Sequence, residues 1–150
     1  MGKIKLNTID HINIVVSDLQ ATAAFFLKLE FEVLLPESEL GPWLSETVGL
    51  EDVHARYMVI ALPGDSIKLE LITYDNPPGP KNPHIGTANA IGFRHIALTV
   101  DDIEETVAGL KAAGIETQGE IQFYKVTGKR FIYFKGPDNI LLELAQYPTR

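Results

Sequence analysis

Residue types able to bind metals or carry protons recur in register along this chain. His11 stands in Asp10-His11-Ile12-Asn13-Ile14-Val15-Val16-Ser17-Asp18-Leu19, and His95 stands 84 residues later in Arg94-His95-Ile96-Ala97-Leu98-Thr99-Val100-Asp101-Asp102-Ile103. Asp65-Ser66-Ile67-Lys68-Leu69-Glu70-Leu71 matches Asp138-Asn139-Ile140-Leu141-Leu142-Glu143-Leu144 at an offset of 73, so Glu70 and Glu143 coincide as well. A single His or Glu on a strand is usually packed or solvated. Recurrence of both at equivalent places of a repeat, inside apolar runs, points instead to ligation. A carboxylate in such a run costs roughly several kcal/mol of desolvation unless it is neutralised, paired or bound to a cation. If the two halves face one another so that these positions converge, His11, Glu70, His95 and Glu143 make an N2O2 donor set for one divalent cation such as Zn, Ni, Co, Mn or Fe. An octahedral centre of this kind leaves two positions open to water or substrate.

The elements that must position these residues follow from periodicity. Each half opens with an alternating strand and continues into a capped amphipathic helix. In the first half Ser17-x-x-Gln20 suggests a capping box, with Leu19, Ala23, Phe26 and Leu27 as the apolar stripe. In the second, Asp101 is placed to cap a helix with stripe Ile103, Val107 and Leu110, and Gly114 suits a left-handed stop. Glu30 occupies the place matching Gly114, so that terminus must differ or carry strain. Three more strands are expected in each half, at about 32–35, 55–62 and 67–73, then 116–123, 130–135 and 140–145. The two offsets differ by eleven, which places extra residues within 36–52, where Gly41-Pro42-Trp43 suits the start of a short helix. The expectation is an α+β fold of two pseudo-symmetric βαβββ modules, about 5–75 and 91–147, joined by a linker over about 76–90. Their half-barrel sheets would enclose a shared cavity within a single domain, 1–150. Alternation sets His11, Asn13 and Val15 on the strand face away from the helix, and His95, Ala97 and Thr99 likewise.

Composition narrows the function. The chain has 150 residues, 45% of them hydrophobic, and a formal net charge of −7, which disfavours a nucleic-acid partner or a polybasic membrane anchor. The absence of cysteine excludes a disulfide scaffold, a thiolate metal site and a cysteine nucleophile. No run of eighteen apolar residues is present, and the opening MGKIKLNTID lacks the apolar core of a signal peptide, so a cytoplasmic protein is expected. Lys125, Lys129 and Arg130 form a basic cluster that either meets an anion at the cavity mouth or is solvated. Trp43, Leu44 and Val48, at helical spacing, either lid the pocket or pack in the core. His54 and His84 have no repeat partners and stay outside the site.

These runs resemble the vicinal oxygen chelate superfamily, built from paired βαβββ modules and including glyoxalase I, methylmalonyl-CoA epimerase, extradiol dioxygenases, fosfomycin-resistance proteins and metal-free bleomycin-binding proteins. The resemblance covers nearly the whole chain and rests on the two His runs, on Lys68-Leu69-Glu70-Leu71 and on Gly136-Pro137-Asp138-Asn139-Ile140-Leu141-Leu142-Glu143-Leu144. It carries the family's metal positions onto His11, Glu70, His95 and Glu143. Val15 and Tyr74 stand where short bacterial glyoxalase I has an Arg and an Asn, which counts against glutathione. Ser17-Asp18-Leu19, Gly128-Lys129 and the long first-module loop are more similar to the epimerase, although Phe123-Tyr124-Lys125-Val126-Thr127 replaces its glycine-rich segment.

The resemblance implies a divalent-metal-dependent isomerase, epimerase or lyase that moves a proton next to a metal-polarised carbonyl of a small molecule with vicinal oxygens, with Glu70 or Glu143 as the base. A homodimer is expected, with the modules pairing within one chain or across the dimer. Two other readings stand beside it. One is an extradiol-type Fe(II) dioxygenase using His11, His95 and Glu143, against which Glu70 argues as a fourth ligand. The other is a metal-free small-molecule binding or resistance protein on the same fold.

Overall fold

A computed structural model of the chain describes residues 2–149. Two compact units divide between Pro80 and Lys81. In the first, β1 (His11–Val15) leads into α1 (Leu19–Lys28), β2 (Glu32–Leu40), β3 (His54–Ala61) and β4 (Lys68–Asn76). The second repeats this order with β5 (His95–Thr99), α3 (Ile103–Ala112), β6 (Thr117–Tyr124), β7 (Lys129–Lys135) and β8 (Leu141–Gln146). Each unit has one open four-stranded mixed sheet, ordered β1-β4-β3-β2 and β5-β8-β7-β6. β1 runs parallel to β4 and β5 to β8, while the other neighbours are antiparallel. The expected α+β pair of βαβββ modules is what the chain forms. Among the described residues no helix is long and apolar enough to cross a membrane.

Both helices start one residue later than Ser17 and Asp101 suggest. Asp18 and Asp102 are the N-caps, with nearly identical backbone angles (φ −136, ψ 105 and φ −132, ψ 107), accepting from the amides of Ala21 and Glu105. Each tandem, Ser17-Asp18 and Asp101-Asp102, offers two cap candidates. The second aspartate wins because its carboxylate reaches the amide three residues on, at the helix's positive end. Gln20 donates instead to Glu37 on β2. The buried stripe of α1 is Leu19, Thr22, Ala23 and Phe26; Leu27, expected in it, is exposed. Thr22 tolerates full burial because its hydroxyl donates to the carbonyl of Asp18. In α3 the stripe is Ile103, Val107 and Leu110, as the periodicity requires.

The helix ends repeat as well. The amides of Glu30 and Phe31 donate to the carbonyls of Leu27 and Phe26, and those of Gly114 and Ile115 to Lys111 and Leu110, the paired bonds of a Schellman stop. The Phe26 and Phe31 rings pack edge-on, 5.1 Å apart, as the apolar clasp of the first stop. Gly114 takes φ 77 there, and Glu30 takes φ 65 without a glycine's freedom.

β2 runs beyond the expected 32–35, past Pro36 to Leu40. It is an edge strand with two register shifts against β3, and an edge needs no donor from proline. The extra residues of the first half then form a 3-10 turn (Pro42–Leu44) and the short α2 (Ser45–Val48). Leu44 packs on the buried cluster of Val53, Ala55 and Ile72, whereas Trp43 is exposed.

Candidate functional site

The parallel pairing of first and last strands brings each His beside its Glu. His11 pairs with Lys68, so Glu70 lies two residues further along β4 on the same face; His95 pairs with Leu141, which puts Glu143 in the matching place. The gap from Nε2 to the nearer carboxylate oxygen is 3.9 Å for His11 and Glu70, and 3.0 Å for His95 and Glu143. Two metal ligands about 2.0–2.2 Å from a cation and at right angles to each other are about 3 Å apart, so the His95–Glu143 pair has the spacing of adjacent ligands and the His11–Glu70 pair needs a small closure. Each unit thus holds a half-site of one imidazole and one carboxylate, a donor set that suits a divalent cation. Among the described residues no three His, Asp or Glu side chains gather around one point.

The half-sites differ in what surrounds them. In the first, Asp10 Oδ2 lies 2.8 Å from His11 Nδ1, and Lys68 Nζ donates to Asp10 Oδ1 at 3.0 Å. These two contacts hold the Asp10 carboxyl below its ordinary 3.8. A hydrogen on Nδ1 that donates to Asp10 leaves Nε2 with its lone pair toward Glu70, the arrangement by which a second carboxylate orients a ligating imidazole. Glu70 Oε1 accepts from the Asn13 amide at 2.8 Å. In the second half-site Ala97 replaces Asn13 opposite the glutamate, and Arg94 replaces Asp10 before the histidine. Arg94 donates to the carbonyls of His84 and Thr87. His95 tilts against the Tyr133 ring, with centroids 5.1 Å apart.

Glu143 is 3% exposed, among buried Leu141, Leu142 and Leu144. Its Oε1 accepts from Lys129 Nζ at 2.8 Å, and Oε2 faces His95. The bond to Glu143 raises the Lys129 pKa above its ordinary 10.5, and the ammonium also sits 4.6 Å from the Phe131 ring centroid. Lys125, Lys129 and Arg130 therefore do not act as one basic cluster. Adjacent residues of β7 point to opposite faces, so Lys129 joins the half-site while Arg130 pairs with Glu104 of α3; Lys125 lies in the turn before β7. That turn closes at Gly128, where φ is 73 and a Cβ would stand 2.6 Å from Pro148, so only glycine delivers Lys129 to its place.

Asp10 and Asn13 lie within the first His run and Lys129 within the expected basic cluster, but no motif assigns them to support of His11, Glu70 and Glu143. Alternation along β1 places Asn13 beside His11, and alternation along β7 separates Lys129 from Arg130, so both signals were available in the sequence. His54 and His84 stay outside both half-sites, His54 lying 3.4 Å from Asp52.

A repeated βαβββ unit with matched His–Glu pairs defines a class of protein. The chain belongs to the Glyoxalase/Bleomycin resistance protein/Dioxygenase superfamily, whose family model matches residues 8–144. Bacillus subtilis YwkD is 34% identical over 142 residues, covering 94% of this chain and 98% of that protein. Human mitochondrial methylmalonyl-CoA epimerase is 31% identical over 146 residues, covering 94% of this chain and 74% of the human protein. Among solved structures, a glyoxalase family protein from Bacillus cereus has TM-score 0.86 and 28% identity, with 99% of each chain covered.

Proposed function

We propose that the two units form one catalytic domain in which His11, Glu70, His95 and Glu143 together hold a single divalent cation. The domain isomerises or epimerises a small substrate with vicinal oxygens by moving a proton next to a carbonyl. The observation that carries this reading is the recurrence of a His–Glu pair at matched positions of the two sheets, with nitrogen-to-oxygen gaps of 3.9 and 3.0 Å. Similarity to methylmalonyl-CoA epimerase over 94% of the chain supports the same reaction class. When bound, the cation supplies Lewis-acid polarisation of the carbonyl and so acidifies the neighbouring C–H.

The glutamates divide the remaining work. Glu143 is 3% exposed and anchored through Oε1 by Lys129, with Oε2 facing His95, which suits a fixed ligand. The Glu70 side chain is 25% exposed and hydrogen-bonded to a neutral amide, which suits a group that takes a proton and gives it back. In that step the Glu70 carboxylate removes the proton from carbon and the C–H electron pair shifts toward the carbonyl oxygen. In an isomerisation Glu70 then gives the proton to the neighbouring, former carbonyl carbon while the hydroxyl proton passes to the former carbonyl oxygen, whereas an epimerisation needs a second donor to deliver a proton to the opposite face of the same carbon. The Asn13 amide keeps Oε1 aimed during the exchange.

One observation favours a second reading, a metal-free binding protein on the same fold: Glu143 already has a cationic partner in Lys129. Metal content decides between the two. Protein expressed in metal-supplemented medium is expected to hold about one divalent ion per chain and to exchange the α-hydrogen of 2-oxo, 2-hydroxy-hemithioacetal or acyl-thioester compounds with deuterated solvent. Absence of metal before and after reconstitution, with retained binding of small organic ligands, would establish the second reading. Glu70→Gln is expected to lower exchange by ~10²–10⁴-fold with little loss of metal, whereas Glu143→Gln loses metal and activity together.

A further inference from the structure

We propose that Lys129 is an internal counter-cation that competes with the metal for Glu143, keeping the second unit charge-balanced when no metal is bound. The inference rests on the four-ligand reading above. Three observations lead to it. Glu143 is 3% exposed, so its ionised form needs a permanent partner, and Lys129 Nζ, 2.8 Å from Oε1, provides one. The first unit lacks this device. Arg56 pairs with Thr73 in the first sheet as Arg130 pairs with Gln146 in the second, so Ala55 is the counterpart of Lys129, and the partner of Glu70 is the neutral Asn13. The lysine is also held firmly, by the Gly128 turn before it and by the Phe131 ring beneath its ammonium at 4.6 Å.

Two consequences follow for a bound cation. With Oε1 taken by Lys129, only Oε2, 3.0 Å from His95 Nε2, is free to ligate, so Glu143 serves as a single-oxygen ligand. The fixed positive charge also opposes a second one at the same carboxylate and weakens cation binding.

The test is calorimetric titration of metal-stripped full-length protein with Mn²⁺ and with Zn²⁺, alongside thermal melts of the stripped proteins. Lys129→Met keeps the apolar stem and removes the charge. It is expected to bind cation about tenfold more tightly than wild type. It is also expected to melt at a lower temperature when stripped and to gain more from added metal. Lys129→Met/Glu143→Gln, which removes both charges, is expected to recover the stripped melting temperature, a recovery that loss of packing alone would not produce. Lys129→Gln serves in the same comparison should Lys129→Met fail to fold. A wild type that binds cation and loses affinity in His95→Ala, but gains none in the Lys129 variants, overturns this inference alone. Wild type and Lys129 variants that all bind no cation overturn the four-ligand reading and this inference with it.

Discussion

Asn13 stands directly opposite Glu70 in the parallel β1–β4 register and donates its side-chain amide to Glu70 Oε1 at 2.8 Å. Ala97 holds the corresponding place opposite Glu143. The amide fixes which oxygen of Glu70 is occupied without adding charge, leaving the carboxylate able to accept a proton. Asn13→Ala is therefore expected to lower solvent deuterium exchange by about tenfold, with a smaller change in metal content. Asn13→Asp, which sets a second carboxylate against Glu70, is expected to lose more. Equal exchange rates in wild type and both variants would show that Glu70 needs no such support.

The Asp10–His11 contact makes a separate claim about metal affinity. With Nδ1 held by Asp10 at 2.8 Å, Nε2 is the nitrogen presented to Glu70. Asp10→Ala is expected to weaken metal binding by about 10–100-fold, and His11→Ala or His95→Ala by more, because a lost ligand also opens the site to water. Titration calorimetry on metal-stripped proteins gives the ranking, and an Asp10→Ala protein with wild-type affinity would remove Asp10 from the site.

The repeat made much of this legible in advance. Matching His and Glu runs fixed the two modules, the faces of β1 and β5, and the four candidate ligands, because strand alternation transmits a sequence position directly into a direction. The comparison of Gly114 with Glu30 left a different or a strained stop as the alternatives, and Glu30 at φ 65 is the strained one. What stayed hidden depended on choices between neighbours or on non-local pairing. Ser17-Asp18 and Asp101-Asp102 each offer two caps, and only the geometry of the first turn selects the second. Lys129 reaches Glu143 across the β7–β8 pairing, and its counterpart Ala55 has no charge, so the repeat gave no sign of it. β2 extends past Pro36 only because it is an edge strand, a property of sheet order that local sequence does not state.

Glu30 offers a stability test remote from the site. It holds φ 65 at the Schellman stop of α1, where a side chain costs roughly 1–2 kcal/mol and glycine nothing in steric terms. Allowing for the greater freedom of glycine in the unfolded chain, Glu30→Gly is expected to stabilise by ~1 kcal/mol, a rise of about 2–4 °C in melting temperature for a chain of this size. Gly114→Ala at the matching position, φ 77, is expected to move it the other way. A Glu30→Gly protein that melts below wild type would mean that the Glu30 side chain contributes more than its backbone costs.

Arg56 ties three strands of the first sheet together, and the tie has a defined pH dependence. Its guanidinium donates to both oxygens of Asp75 on β4, at 2.8 and 2.9 Å, and to Glu37 on β2 at 3.0 Å. These bonds hold Asp75 below its ordinary 3.8 and Glu37 below its ordinary 4.5. A carboxylate whose folded pKa is depressed contributes stability that is complete above its unfolded value and is lost as pH falls through the folded one. The same bonds raise the pKa of Arg56, which stays charged throughout this range. The network's contribution should therefore be constant at neutral pH and decline as pH falls from 4.5 through and below 3.8. Because all three side chains are partly solvated, the effect is modest and weakens with added salt. Arg56→Met is expected to melt below wild type at neutral pH, with the gap narrowing as pH is lowered through that window. A gap that stayed constant with pH would assign the loss to packing of the Arg56 stem between β2 and β4 and not to its charge.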